Sequence, residues 1–167
     1  MRNRYGAGVF TAKRIIELLG LKAHPAEGGW FTETWRAGPR VEGGRRSIGT
    51  AIYYLITPDS FSSMHRLAAD EIFHYYLGDP VEMLLLEPGG AGRIVTLGPA
   101  LEQGERPQVV VPAGTWQGSR LAAGGSVALL GTTVAPGFEF EDFESGDAAA
   151  LAREWPAFEA EIRARMR

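Results

Sequence analysis

The sequence predicts an all-β fold, a sandwich or closed barrel with short helices at its two ends. Three observations carry that reading. Beyond residue 28 a series of short segments rich in aliphatic, β-branched and aromatic residues recurs along the chain. Turn-forming stretches, "PDS", "GDP", "PGGAG" and "AAGG", stand between neighbouring segments. Helical patterning is confined to the two ends.

The elements follow in order. Thr11 is placed to cap a helix over about 11–19, Ile15, Ile16, Leu18 and Leu19 form its apolar side, and Gly20 ends it. "HPAEGG" breaks regular structure. Strands are expected over 30–36, 50–57, 71–77, 81–87, 93–97, 108–112, 115–121 and 126–134, a barrel spanning about 28–143. "DAAALAREWPAFEAEIRARMR" reads as C-terminal helices over about 147–166, broken near Pro156. The Gly-rich loop 37–49 is the expected mobile segment, and the 167 residues are expected to form one domain.

Several strands, "YYLI", "MLLL" and "VALL", are apolar on both faces. One face fills the barrel and the other needs cover, from the terminal helices and from a partner subunit, so a homodimer is expected.

Composition narrows the function. The net charge of −3 gives no global attraction to nucleic acid. Arg40, Arg45 and Arg46 read as a solvated loop rather than a phosphate patch. The chain has no cysteine, which removes disulfides, thiolate zinc sites and a cysteine nucleophile. No signal peptide or membrane span is visible, so the expected setting is the cytoplasm. The acidic stretch 139–147 lacks calcium-loop spacing and reads as an edge segment. "TWQGS" lacks the order of a nucleophile elbow.

Two stretches carry the chemistry. "SMHRLAADEIFHYYLG" sets Glu71 six residues after His65 and Gly78 seven residues after Glu71, and "VPAGTWQ" is a Pro-x-Gly-x-x-Gln turn. This arrangement resembles the two motifs of the cupin superfamily, His-x-His-gap-Glu-six residues-Gly and Pro-x-Gly-x-x-His. His65 matches the first histidine, Leu67 stands at the second, Glu71 and Gly78 match, as do Pro112 and Gly114, and Gln117 replaces the last histidine. "HPAEGGWFTETWR", "AIYYLI" and "VALLGTTVAPGFEFEDFE" extend the resemblance, over about residues 11–158, to the cupin-5 family of small cupins of unknown function. The resemblance implies a double-stranded β-helix, the jelly-roll barrel, with a small-molecule site inside it.

In metal cupins three imidazoles and a carboxylate converge on a divalent ion. Leu67 cannot ligate and Gln117 offers only an amide, so no cofactor is required. A weak divalent ion would rest on His65, Glu71 and Gln117, with His74 the lesser choice. Strand alternation puts Glu71, Phe73 and Tyr75 inward and Ile72, His74 and Tyr76 outward, where His74 is a structural, hydrogen-bonded residue. His24, beside Pro25, also reads as structural.

The expected reaction is proton transfer beside a carbonyl, of isomerase, epimerase or lyase type, as in cupin-fold sugar epimerases. His65 is then the base, Glu71 its orienting partner and Tyr75 the acid. Gln117, Phe73, Trp116, Trp35 and Arg66 are expected around a sugar-like or carbonyl ligand, with Arg120 a further anion contact. Phe31, Glu33 and Trp35 are expected on one face of their strand. The alternatives are a binding protein without turnover and a divalent-metal cupin with a degenerate site.

Overall fold

The computed structural model describes residues 11–38 and 46–166. Most of the expected mobile loop, with Arg40 and Arg45, lies outside the described residues. Helix α1 (Ala12–Leu19) opens the described chain. Thr11 Oγ1 accepts the Arg14 N–H at 3.3 Å, and Gly20 ends the helix at φ 63°. Eleven strands follow among the described residues: β1 (Lys22–Ala23), β2 (Trp30–Arg36), β3 (Thr50–Ile56), β4 (Ser62–Arg66), β5 (Asp70–Gly78), β6 (Val81–Leu86), β7 (Gly92–Leu97), β8 (Gln108–Val111), β9 (Trp116–Leu121), β10 (Ala128–Ala135) and β11 (Glu144–Ser145). Helices α2 (Ala148–Glu154) and α3 (Glu159–Arg163) close it, separated by a 3₁₀ turn that begins at Pro156.

The strands form two antiparallel sheets, β1-β2-β3-β10-β5-β8 and β11-β4-β9-β6-β7. The all-β expectation holds, as a jelly-roll barrel with short terminal helices. Every expected strand is present within a residue or two at each end. Strand β4 is an addition: its "SSMHR" opens on two serines and carries a weak strand signal, yet it holds His65.

Between the sheets, one end of the barrel is filled. Tyr54, Ile56, Phe73, Met83, Leu85 and Leu130 are each no more than 1% exposed there. The outer faces are covered in part by the terminal helices. Helices α2 and α3 bring Leu151, Trp155 and Ile162 onto Met64, Leu84, Leu86 and Trp116. Helix α1 brings Ile15 onto Leu55 and Leu129. Each such side chain contributes about 1.5–3 kcal/mol by leaving water.

The motif glycines are backbone requirements. Gly78 turns at φ 100°, where a Cβ would stand 2.2 Å from Val127 O. Gly114 turns at φ 79°, and its N–H donates to Leu67 O at 2.9 Å, joining the two motif segments.

Two irregularities decide which side chains face inward. In β2 the pairing runs Glu33↔Ile52, Trp35↔Ala51, Arg36↔Thr50, so Thr34 is an extra residue. Simple alternation puts Trp35 beside Glu33; the bulge puts Arg36 there and turns Trp35 outward, 49% exposed. In β5, Tyr75 faces Leu130 and Leu77 faces Leu129, so Tyr76 is the extra residue and lies outside.

Candidate functional site

The unfilled end of the barrel is a hollow of about 100 Å³. Its polar floor is His24, Glu27, Thr50, His65, Glu71 and Thr132; its walls are apolar, and Glu33, Arg36 and Glu139 stand among its lining residues.

Each floor residue is placed by its strand or loop. Glu71 faces inward from β5 opposite Val134, and His65 sits on β4 directly across from Gln117 on β9. Gln117 Nε2 donates to Glu71 Oε2 at 2.7 Å. Glu27 lies in the "HPAEGG" loop, tied down by Ser63 N–H donating to Glu27 O at 3.0 Å. Its carboxylate accepts the Ser62 hydroxyl at 2.5 Å.

The ring nitrogens are assigned by their partners. His65 Nδ1 lies 2.8 Å from Ser63 O and must donate to it. Nε2, 4.0 Å from Glu27 Oε2, is therefore the ring nitrogen turned toward the hollow. His24 is the reverse. Its Nδ1 accepts the backbone N–H groups of Ala26 and Glu27, at 3.3 and 2.8 Å, so its proton is on Nε2, 4.0 Å from the same Glu27 oxygen. Glu27 thus stands between two imidazoles. Phe143 lies flat on His65, centroids 4.9 Å apart at 17°, and Phe31 tilts against His24 at 4.8 Å.

Glu71 is the distinctive acid. Burial raises it from an ordinary carboxylate value to about 7, and the charge of Glu27 pushes the same way. The charge of His65 and hydrogen bonds from Gln117 and Thr132 oppose the rise. Gln117 suits a group titrating there: an amide presents a donor to the carboxylate and, by rotating, an acceptor to the acid. Its Oε1 is buried with no partner among the described residues.

The structure brings His65, Glu71 and Gln117 together, as expected, and separates the rest of the expected set. Tyr75 does face inward, but four residues along β5, about 13 Å from Glu71. Its hydroxyl donates to Gly78 O at 2.5 Å, and burial with the nearby Asp79 pushes the phenol further up. It is not the acid of this hollow. Phe73 is 1% exposed in the core between the two. Trp116 is on the outer face of β9, under the C-terminal helices, with the Arg66 guanidinium 4.6 Å above its ring. Arg66 is held by Glu144 at 2.7 and 2.9 Å, so neither residue lines the hollow. Trp35 is outside, and Arg120 pairs with Glu82 and Glu161 away from the hollow. His74 faces outward as expected, between Thr133 Oγ1 at 3.2 Å and Gln108 Nε2 at 3.3 Å.

Glu27 was not legible as a site residue, and His24, fixed by the backbone N–H groups of Ala26 and Glu27, also lines the hollow. The acidic stretch 139–147 does run along a sheet edge through β11, but it also contributes Phe140 and Phe143 to the hollow.

The ion that the fold family implies does not fit these residues. Leu67 lines the hollow without a donor, and the Gln117 amide nitrogen is turned to Glu71. His24 presents a protonated nitrogen rather than a lone pair. No group of three or more His, Asp or Glu side chains among the described residues is arranged to hold a metal.

A jelly-roll barrel with a buried acid–imidazole floor in one open end has the architecture of a cupin. The chain belongs to the cupin-5 family, described as Cupin superfamily (DUF985), which matches residues 13–146. It is 33% identical over 132 residues to the uncharacterized protein YML079W of Saccharomyces cerevisiae, covering 70% of this chain and 66% of the yeast protein's length. A hypothetical protein from Leishmania major superposes with a TM-score of 0.85 at 36% identity, covering 94% of this chain and 99% of that one. Protein SO0799 from Shewanella oneidensis superposes with a TM-score of 0.87 at 32% identity, covering 95% and 98%. Among the described residues no helix is long and apolar enough to cross a membrane.

Proposed function

We propose that the hollow binds a small molecule and moves a proton on it, in an isomerase, epimerase or lyase reaction beside a carbonyl. The observation that carries this is Glu71: a carboxyl held at about 7 on the floor of an open cavity. A group that titrates there is both a competent acid and a competent base near neutral pH. His65 Nε2 is the second exchangeable site, and Glu27 orients it. With Tyr75 elsewhere, both proton sites come from one floor, and no tightly held ion takes part. The test is solvent deuterium uptake into small ketones and carbonyl sugars followed by NMR. Glu71→Gln is expected to lower exchange at least about 100-fold, the usual contribution of a positioned acid or base. A variant that kept full exchange would remove Glu71 from the mechanism.

A second reading, binding without turnover, draws on the withdrawal of Tyr75, which leaves the upper walls without an acid. Ligands that raise the melting temperature without exchanging would favour it. A homodimer is part of the proposal, resting on the exposed Trp35, Tyr76 and Val110 of the six-stranded sheet. So is a cytoplasmic setting, resting on the cysteine-free composition.

A further inference from the structure

We infer that the hollow selects a small organic cation, an ammonium group on an apolar body, over anions of the same size. The inference rests on the reading that this hollow is the ligand site, and it names the ligand's charge. The lining holds four carboxyl groups, Glu27, Glu33, Glu71 and Glu139, against one guanidinium, Arg36. That guanidinium is already spent. Arg36 Nε and Nη2 donate to the two oxygens of Glu33 at 3.0 and 2.9 Å, Nη1 donates to Glu139 at 2.9 Å, and Nη2 also donates to Phe138 O at 3.1 Å. An incoming carboxylate or phosphate would have to displace two carboxylates from it. Deeper in, Glu27 is 13% exposed at its side chain, and neither imidazole lies closer than 4.0 Å to its carboxylate. A low-dielectric cavity lined mainly by one sign of charge concentrates its field on what enters.

The walls match the same ligand. Phe31, Phe138, Phe140 and Phe143 line the space above the carboxylates. Aromatic faces attract ammonium groups through the ring quadrupole and offer an anion nothing comparable. The polar floor lacks the donor geometry for a bare metal ion, whereas an alkylammonium needs only diffuse negative potential, a few acceptors and an apolar surface.

The experiment compares n-butylammonium, butan-1-ol and butyrate, which share one body and differ in charge. Binding is measured by ligand-observed NMR and calorimetry at low and at high ionic strength. The expected result is binding of the ammonium at least about tenfold tighter than the alcohol, no saturable binding of butyrate, and a preference that shrinks with salt. The double variant Glu33→Gln with Glu139→Gln, both at partly exposed positions, frees Arg36 and is expected to reverse the order of ammonium and carboxylate. Circular dichroism checks its fold. Butyrate binding as tightly as butylammonium, equal binding of all three, or saturable binding of none overturns the inference. Charge preference is read from binding alone. Loss of deuterium exchange with the preference intact therefore counts against the proton-transfer reading and not against this one.

Discussion

At the scale of single residues, Glu71 ties the site to the stability of the barrel. Its carboxyl binds its proton more tightly in the folded state, near 7, than in the unfolded chain, near the ordinary 4.5. Below about 4.5 both states hold the proton. Between about 4.5 and 7 the unfolded chain releases it first, so stability falls as pH rises through that window and then levels off. The cost at neutral pH is on the order of 3 kcal/mol. Glu71→Gln keeps the shape and removes the charge. It is expected to flatten the decline between pH 5 and 8 and to leave the variant more stable than the parent at pH 8, as urea unfolding at the two pH values would measure. Equal slopes for variant and parent would mean that the carboxyl is not desolvated. The donor set makes a complementary prediction. Leu67 lines the hollow and Gln117 already touches Glu71. Converting both to histidine restores the family's three imidazoles and one carboxylate. The double variant is expected to retain Mn(II) or Zn(II) stoichiometrically through gel filtration, by elemental analysis, where the parent does not. Failure of the double variant to bind would mean that His65 and Glu71 do not converge as the hollow implies.

At the scale of elements, most of the architecture was legible because period and punctuation act locally. The N-terminal helix announces itself by Thr11 and Gly20, and the C-terminal break by Pro156. The inward alternation of β5 correctly paired Glu71 with Phe73 and sent His74 outward. What alternation cannot supply is depth. Phe73 and Tyr75 share the face of Glu71, yet the strand carries them out of the hollow and into the core. Nor does it announce a bulge. The extra Thr34 in β2 exchanges Trp35 for Arg36, and no residue type in "WFTETWR" marks it. The neighbourhood of Glu27 is equally illegible, since the loop 24–29 meets β4 through hydrogen bonds from Ser62 and Ser63 to Glu27, between residues far apart in sequence. The C-terminal helices show how an outer layer supports the inner one. Trp155 is 3% exposed, packs beneath β6 and β9, and donates its indole N–H to Ala91 O at 3.1 Å. Trp155→Ala removes the ring and leaves a cavity, so a loss of about 3–5 kcal/mol is expected in urea unfolding. Early proteolysis after residue 146 should accompany it. A loss under 1 kcal/mol would mean that the helices dock weakly and that the sheet tolerates exposure.

At the scale of the whole molecule, the two outer sheet faces are treated unequally. The five-stranded sheet carries α2 and α3 across its apolar residues. The six-stranded sheet is covered by α1 only where Leu55 and Leu129 emerge. Across the rest of β5, β10 and β8 a row of large side chains stays in the open: Tyr76 is 48% exposed and Val110 is 49% exposed. These are not loose groups. The Tyr76 ring lies over Gly131, where any Cβ would meet its hydroxyl at 2.3 Å. It runs parallel to His74 at 6.4 Å and meets Tyr53 edge-on at 5.9 Å. A rigid aromatic row held against a flat sheet loses little side-chain freedom when covered, which favours its use as a contact surface. Each aromatic ring buries about 150–250 Å², and a stable interface needs about 800 Å² from each partner. The tyrosines therefore make only the centre of such a contact, and Trp35, Val110 and the strand residues between them must supply its margin. A second copy of the chain brings the same row in the same arrangement, as an isologous contact requires. Sedimentation at micromolar concentration is expected to show a dimer for the parent chain. The variant Tyr76→Glu with Val110→Lys should show a monomer, with an unchanged far-ultraviolet spectrum and the hollow still able to bind its ligand. A parent chain that sediments as a monomer at every concentration would leave this face without the occupant assigned to it.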